Sequence, residues 1–290
     1  MNIQTLFNGI SLGAVYALIA VGFAVVFNIL KFSNFSHGGL MTVTAYLGFY
    51  VATHFKANLP ITIIAAMLGG GLLSLLGELF AFRKITINKS PTIYYFVSSI
   101  TLGTLYENLM TIVAGSNFYG FPQFFKNSNI SIGRATVATS DAVMFLLSAI
   151  ALFILMYIIR KTKIGRALRA VSFDRDTASL MGINVIFTIQ VAFFIAGALG
   201  GLSGVFLGVN YTIYPQLGQL VTKGFIASVL GGLGSLEGAV IGAMLLGIVE
   251  TILTYFVGAG YTPIFVFIIM LIFLLVRPIG IAGSNVQEKA

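Results

Sequence analysis

The sequence predicts an all-α protein, a polytopic bundle of about eight or nine transmembrane helices with discontinuous Gly-rich segments. Three observations carry that expectation. Of 290 residues, 58% are hydrophobic and 8% charged, with a mean hydropathy of +1.01, whereas a soluble domain covers its surface with about 25% charged residues. Apolar stretches recur near residues 5–30, 38–55, 60–82, 92–114, 141–159, 187–209, 222–257 and 262–276. Between two of them sit Arg160, Lys161, Lys163, Arg166, Arg169 and Arg175, and short basic loops stay on the cytoplasmic side of a membrane. Residues 1–290 therefore read as one transmembrane domain.

In order along the chain, the first apolar stretch has no Lys or Arg before Lys31. A signal peptide opens with a basic region and has a shorter apolar core, so residues 5–30 are expected to be a retained span entered from outside. At 1.5 Å per residue it is about 39 Å long, more than the ~30 Å hydrocarbon core, and should tilt. With a cytoplasmic loop at 160–186, the positive-inside bias puts Lys31 and residues 83–91 inside. The N-terminus and the external loop 115–140 then fall outside. Within that external loop, Ile130-Ser-Ile132 and Thr136-Val-Ala138 flank Gly133-Arg134, a pattern for a small hairpin in a connector or in a contact with an external partner.

The C-terminal half does not close so simply. Arg277 and Lys289 suggest a cytoplasmic tail, and this needs an even number of crossings after residue 186. The stretch 222–257 is too long for one span and contains Gly231-Gly-Leu-Gly-Ser-Leu-Glu-Gly238. It is expected to break near Gly231, Gly232 and Gly234, as helices at membrane depth do where they line a cavity or are buried in protein. Gly38-Gly-Leu40 echoes Gly231-Gly-Leu233 at an offset of 193 residues and raises an internal repeat. Small residues also recur at helical spacing, as Gly200, Gly204 and Gly208, as Gly9, Gly13 and Ala17, and as Gly238 with Gly242. Such stripes let helices pack closely; a substrate path lined by exposed backbone is the alternative.

Several chemistries are excluded. Zero cysteines rule out disulfides and thiolate sites, and two histidines, His37 and His54, cannot form a histidine metal cluster. The net charge of +8 lacks the basic, aromatic-interleaved face of a nucleic-acid binder. Gly201-Leu-Ser-Gly204 matches the motif of intramembrane serine proteases, but both histidines precede Ser203, the reverse of that family's order. No GxxxxGK[ST] occurs, so a nucleotide-driven process needs ATP bound by another chain.

Carboxylates in apolar segments are expensive and point to function. Glu78 lies near Arg83 and is expected to pair or snorkel; Glu107 and Glu250 divide between interhelical hydrogen bonding and a pathway. His37, in Asn34-Phe-Ser-His-Gly38, is expected to join the first two spans structurally. The basic loop reads as two short helices. Residues 164–171 put Ile164, Leu168 and Val171 on one face with Arg166 and Arg169 elsewhere. Asp174 would cap a second helix from Arg175, which Gly182 stops. Such a loop is either a connector held to anionic membrane lipid or a surface for a soluble partner, and two capped helices favour the partner.

These segments together resemble the LivH-type permease subunits of branched-chain amino acid ABC importers, within the binding-protein-dependent permease family. The similarity runs through Leu12-Gly-Ala-Val-Tyr-Ala-Leu-Ile-Ala-Val-Gly22, Asn34-Phe-Ser-His-Gly38, Ser98-Ser-Ile with Glu107-Asn108, Gly165-Arg-Ala-Leu-Arg-Ala170 with Met181-Gly-Ile183, and Leu230-Gly-Gly-Leu-Gly-Ser-Leu-Glu-Gly-Ala-Val-Ile-Gly242. The motifs occur in the family's order over nearly the whole chain; Ser36 stands where the family commonly has alanine. The resemblance implies a bacterial plasma-membrane permease domain without its own ATPase site or cofactor. It also implies a second, LivM-like permease, two cytoplasmic ATP-binding subunits and an external solute-binding protein. Residues 165–182, with Gly165, Arg166, Arg169, Asp174 and Gly182, would couple the ATPases to the channel. Asn34, His37, Gly38, Glu107, Gly200, Gly204, Gly231, Gly232, Gly234 and Glu250 would serve the pathway or its helix packing. Relatives that move urea, short amides or sugars leave the solute open, and an ATP-independent carrier or channel is the remaining rival.

Overall fold

The computed structural model describes residues 3–125, 129–132 and 135–283. Helices dominate: α1 (Ile3–Leu30), α2 (Ser36–His54), α3 (Leu59–Gly77), α4 (Arg83–Ile87), α5 (Thr92–Ala114), α6 (Thr139–Lys161), α7 (Lys163–Phe173), α8 (Arg175–Leu180), α9 (Val185–Asn210), α10 (Val221–Gly231), α11 (Leu236–Val257) and α12 (Thr262–Val276). Between α5 and α6, β1 (Asn129–Ile132) and β2 (Ala135–Ala138) pair antiparallel, with Ile132 opposite Ala135. This is the hairpin expected from the alternating pattern; Gly133 and Arg134 lie outside the described residues, as does Lys289.

Five helical stretches are long and apolar enough to cross a membrane by length and composition: Gln4–Leu30, Leu59–Ile87, Thr139–Lys161, Val185–Asn210 and Leu236–Val257. Two shorter apolar helices, Leu217–Gly231 and Thr262–Val276, accompany them. The sequence predicts eight or nine spans, more than these five. Helices α2 and α5 have the length, 19 and 23 residues, but carry too many hydroxyl and other polar side chains to pass on composition alone.

Punctuation residues explain the helix boundaries. Pro60 and Pro263 occupy the first turns of α3 and α12, where a missing backbone N–H costs nothing. Lys31 turns the chain after α1 with φ 57°, and Gly115 does so after α5 with φ 72°. Helix α3 does not stop where its apolar run ends. It passes through one π turn, Glu78–Phe82, into α4, so Arg83 and Lys84 belong to a helix end rather than to a loop. The wider turn brings Arg83 back under Glu78, whose carboxylate accepts from Nε at 2.9 Å and from Nη2 at 2.5 Å. Pairing, one of the two roles expected of Glu78, is the one found.

The chain forms two compact units, one of residues 25–124 and 150–221, the other of residues 1–24, 125–149 and 222–290. In the first, α2 packs against α3, α5 and α9. Glycines bring the backbones together: a Cβ on Gly70 would strike the Gly197 carbonyl, and one on Gly39 the Gly103 carbonyl. At one end of this unit, Tyr119 and Ile213 exchange backbone hydrogen bonds of 2.9 and 2.8 Å, and Phe49 packs on Tyr119 with ring centroids 5.3 Å apart. The connector after α5 is thereby fastened to α2 and to the turn after α9.

In the second unit, Gly9 and Gly13 of α1 lie against the backbone of α11 at Gly247, Ile248 and Met244. The expected break in 222–257 is present. Helix α10 ends at Gly231, Gly232 and Gly234 take φ of 107° and 89°, and Ser235 caps α11 by accepting from Gly238 N at 3.1 Å. The open end of α10 does not leave carbonyls bare: Ile281 N donates to Leu230 O and Ala282 N to Gly231 O, both at 2.9 Å. A returning tail segment thus supplies the donors that a helix end inside an apolar bundle lacks. The local conformations do not support the sequence echo. Gly38, Gly39 and Leu40 are helical, whereas Gly231, Gly232 and Leu233 cross a helix end.

Candidate functional site

The basic loop folds as the two short helices α7 and α8, fixed at every joint. Thr162 caps α7 by accepting from Gly165 N at 3.1 Å. Asp174 caps α8, its Oδ1 accepting from Thr177 N at 2.5 Å. Those hydrogen bonds favour the carboxylate and hold Asp174 below the ordinary aspartate range. Gly182, at φ 83°, lets Ile183 N reach back to Ala178 O at 3.0 Å and close the helix. Asn184 then caps α9, accepting from Phe187 N at 3.0 Å.

One face of α7 differs from expectation. Leu168 and Val171 are buried with Gly165, while Ile164 is exposed. Gly165 is on the inner face because α7 lies on the carbonyl end of α6: a Cβ there would meet Ile158 O and Ile159 O. Arg169 donates to that same Ile159 carbonyl, so it pins the loop to α6. Arg166 is exposed.

Two further contacts tie the loop into the unit. Arg175 donates from Nε at 3.2 Å and Nη2 at 2.7 Å to Ile29 O, one of the orphan carbonyls at the end of α1. Its charge, after burial, is the second cause that holds the Lys31 amine below its usual range. Lys89 pairs with Asp176 at 2.9 Å. Lys31, residues 83–91 and residues 160–186 thus gather at one end of the unit, the three basic segments that the charge pattern assigns to one side. The surface they present is mixed: amid the charges, Phe173 is 92% exposed, Leu180 88% and Met181 79%.

A second group of expected residues lines the seam between α2 and α9. Asn34 Oδ1 accepts from Ser36 N at 3.2 Å and from Ser36 Oγ at 2.6 Å, which starts α2. His37 is 3% exposed, and its ring lies where a Cβ on Gly200 would be; its Nε2 has no partner among the described residues. Gly38 faces the Gly218 backbone, and Gly204 faces Met41 O and Thr44 Oγ1. Gly200 and Gly204 of the α9 stripe are therefore packing surface against α2, and Gly208 lies against Phe121 and Ile213. Ser203, fully buried in the stripe, donates to Gly200 O at 3.0 Å. Glu107 lies half-buried on α5.

The remaining expected residues, Gly231, Gly232, Gly234 and Glu250, belong to the other unit. There the sequence reading misses a partner. Glu250 of α11 pairs with Lys223 of α10, whose Nζ also bonds Tyr16 Oη of α1 at 3.0 Å and stands 5.4 Å from that ring's centroid. Lys223 is the one basic residue between Arg175 and Arg277, a signal the apolar run 222–257 hides.

Comparison with known proteins agrees with this architecture. The family described as branched-chain amino acid transport system / permease component matches residues 5–275. The high-affinity branched-chain amino acid transport system permease protein LivH of Escherichia coli K12 is 31% identical, over 99% of this chain and 97% of its own. BraD, the corresponding permease protein of Pseudomonas aeruginosa, is 30% identical over the same shares. A LivH-like permease of Methanocaldococcus jannaschii is 30% identical over 92% of this chain and 88% of its own. Among solved structures, PsaBC from Streptococcus pneumoniae in complex with Fab shares the fold, with a TM-score of 0.52 at 16% identity, covering 95% of this chain and 91% of that one. Together with its long apolar helices, these matches make the protein an integral membrane protein that belongs to the branched-chain amino acid permease family.

Proposed function

We propose that this chain is the permease subunit of an ATP-driven importer of branched-chain amino acids in the bacterial plasma membrane. Residues 1–290 act as one permease domain. Seven longer helices, α1, α2, α3, α5, α6, α9 and α11, and the two shorter apolar helices α10 and α12 make up its eight or nine spans. The partners are a second, LivM-like permease, two cytoplasmic ATP-binding subunits and an external solute-binding protein.

The observation that carries the reading is the α7–α8 surface. Phe173, Leu180 and Met181 are exposed on a loop whose two helices are both capped, and such apolar exposure on a fixed surface is what a partner contact uses. An ATP-binding subunit seated there would push through the pinned joints at Arg169 and Arg175. ATP on that subunit is the ligand with different affinity for the two states, which any alternating-access cycle requires.

The test is co-purification with the companion subunits, followed by reconstitution and ATP-dependent uptake of labelled leucine, then of urea. Leucine uptake that needs ATP and every companion is expected. Uptake of urea in preference to leucine would move the chain to the urea and short-amide branch, and uptake by the chain alone would make it an independent carrier.

A further inference from the structure

We propose that Lys223, Glu250 and Tyr16 form the solute site of this permease and that it binds the zwitterionic head of an α-amino acid. The inference rests on the importer reading above and adds the residues and the chemistry. All three side chains belong to one unit and come from three different helices, α10, α11 and α1. Charges among apolar helices are expensive, and apolar side chains of similar volume often replace a buried pair without loss.

This pair is incompletely satisfied in a way that a ligand would complete. Glu250 is 8% exposed, yet only Oε1 is engaged, by Lys223; Oε2 is buried with no partner among the described residues. The side chains of Lys223 and Glu250 keep 21% and 11% of their exposure, so the pair is not wholly enclosed, and Oε2 itself is uncovered only when the pair opens. An amino acid presents an ammonium and a carboxylate on one carbon. Its ammonium matches the free Glu250 Oε2, and its carboxylate matches Lys223, which Tyr16 Oη holds in place from the other side. One internal pair is exchanged for two pairs to the solute, each with charge-assisted hydrogen bonds. A neutral solute such as urea offers neither charge.

The placement also gives binding a mechanical consequence. Lys223 and Glu250 sit on opposite sides of the break whose Gly232 and Gly234 adopt φ that other residues avoid. Lodging a solute between them parts α10 from α11 at that joint.

The experiment uses the complete complex in lipid nanodiscs without the solute-binding protein and measures equilibrium binding of radiolabelled L-leucine. On the unaltered protein, isoamylamine, which keeps the ammonium, and 4-methylpentanoate, which keeps the carboxylate, are expected to compete at least tenfold more weakly than leucine. Competition by either within twofold of leucine overturns the site. The double variant Lys223→Met with Glu250→Gln removes both charges and is expected to lose at least tenfold in leucine affinity, about 1.4 kcal/mol. A purely structural pair predicts unchanged binding in that variant. Were it not to assemble, the two competitors decide on the unaltered protein. Leucine transport by the unaltered complex with unchanged binding in the double variant sinks this inference alone; no leucine transport at all sinks it together with the importer reading.

Discussion

Arg175 offers the sharpest test of how the α7–α8 surface speaks to the rest of the molecule. Its guanidinium reaches 146 residues back along the chain, giving Nε at 3.2 Å and Nη2 at 2.7 Å to the single carbonyl of Ile29. Arg175→Met keeps most of the aliphatic stem and deletes the fork. A hydrogen bond to a charged group is worth about 1.5–3 kcal/mol. Because both donors share one oxygen and the side chain is part-exposed, the lower end applies, about 1.5 kcal/mol and roughly tenfold in an equilibrium. If that contact carries motion from the loop to the end of α1, losing it loosens the coupling. The assay is moles of leucine imported per ATP hydrolysed in proteoliposomes holding all subunits. A fall of roughly tenfold is expected while the companion subunits still co-purify, since Phe173, Leu180 and Met181 are untouched. A ratio within twofold of the unaltered protein refutes the reasoning and leaves Arg175 as a surface tether.

The two neighbouring arginines should separate. Arg166→Glu, on the exposed face, is expected to lower ATPase co-purification with the α7–α8 fold intact, whereas Arg169→Glu releases α7 from Ile159 O and should speed amide exchange through 163–173. Arg83→Met leaves the 2%-exposed Glu78 carboxylate unpaired and should cost about 3–5 kcal/mol, read as lower yield and melting temperature in detergent. Adding Glu78→Gln should recover much of it. Asp174→Ala should expose α8 amides to exchange, and Asp174→Asn should keep the cap. Because its folded pKa is depressed, the cap's contribution is complete above the ordinary value of 3.8 and is lost only as pH falls through the lower folded value. Amide protection of α8 should therefore stay flat from neutral pH down to about pH 4.

Much of this was legible in the sequence because it is written locally. Asp174 three residues before Thr177 and Gly182 after a short helix each act on backbone within one turn, so spacing alone places them. The break in 222–257 follows from the same kind of signal, since glycine is what a chain uses where φ must turn positive. The reach of the π turn past Phe82 was not legible: nothing in residues 78–82 distinguishes it from a helix until Arg83 finds Glu78. Nor was the exposure of Ile164: Gly165, pressed against the carbonyl end of α6, joins Leu168 and Val171 on the buried face of α7 in its place.

By itself the sequence determined that this is a helical membrane protein and, from caps and glycines, where several of its helices start and stop. Propensity, capping and hydropathy are properties of neighbours along the chain. Only the tertiary structure decided which charges meet. Lys223 with Glu250 and Tyr16, Arg175 with Ile29 O and the tail amides with the open end of α10 span from 27 to more than 200 residues of sequence; Ile281 and Ala282 return to α10 across some 50. In an apolar bundle an unpaired polar group is penalised wherever it lies, so such groups find each other in space, and the chain's order holds no record of the pairing.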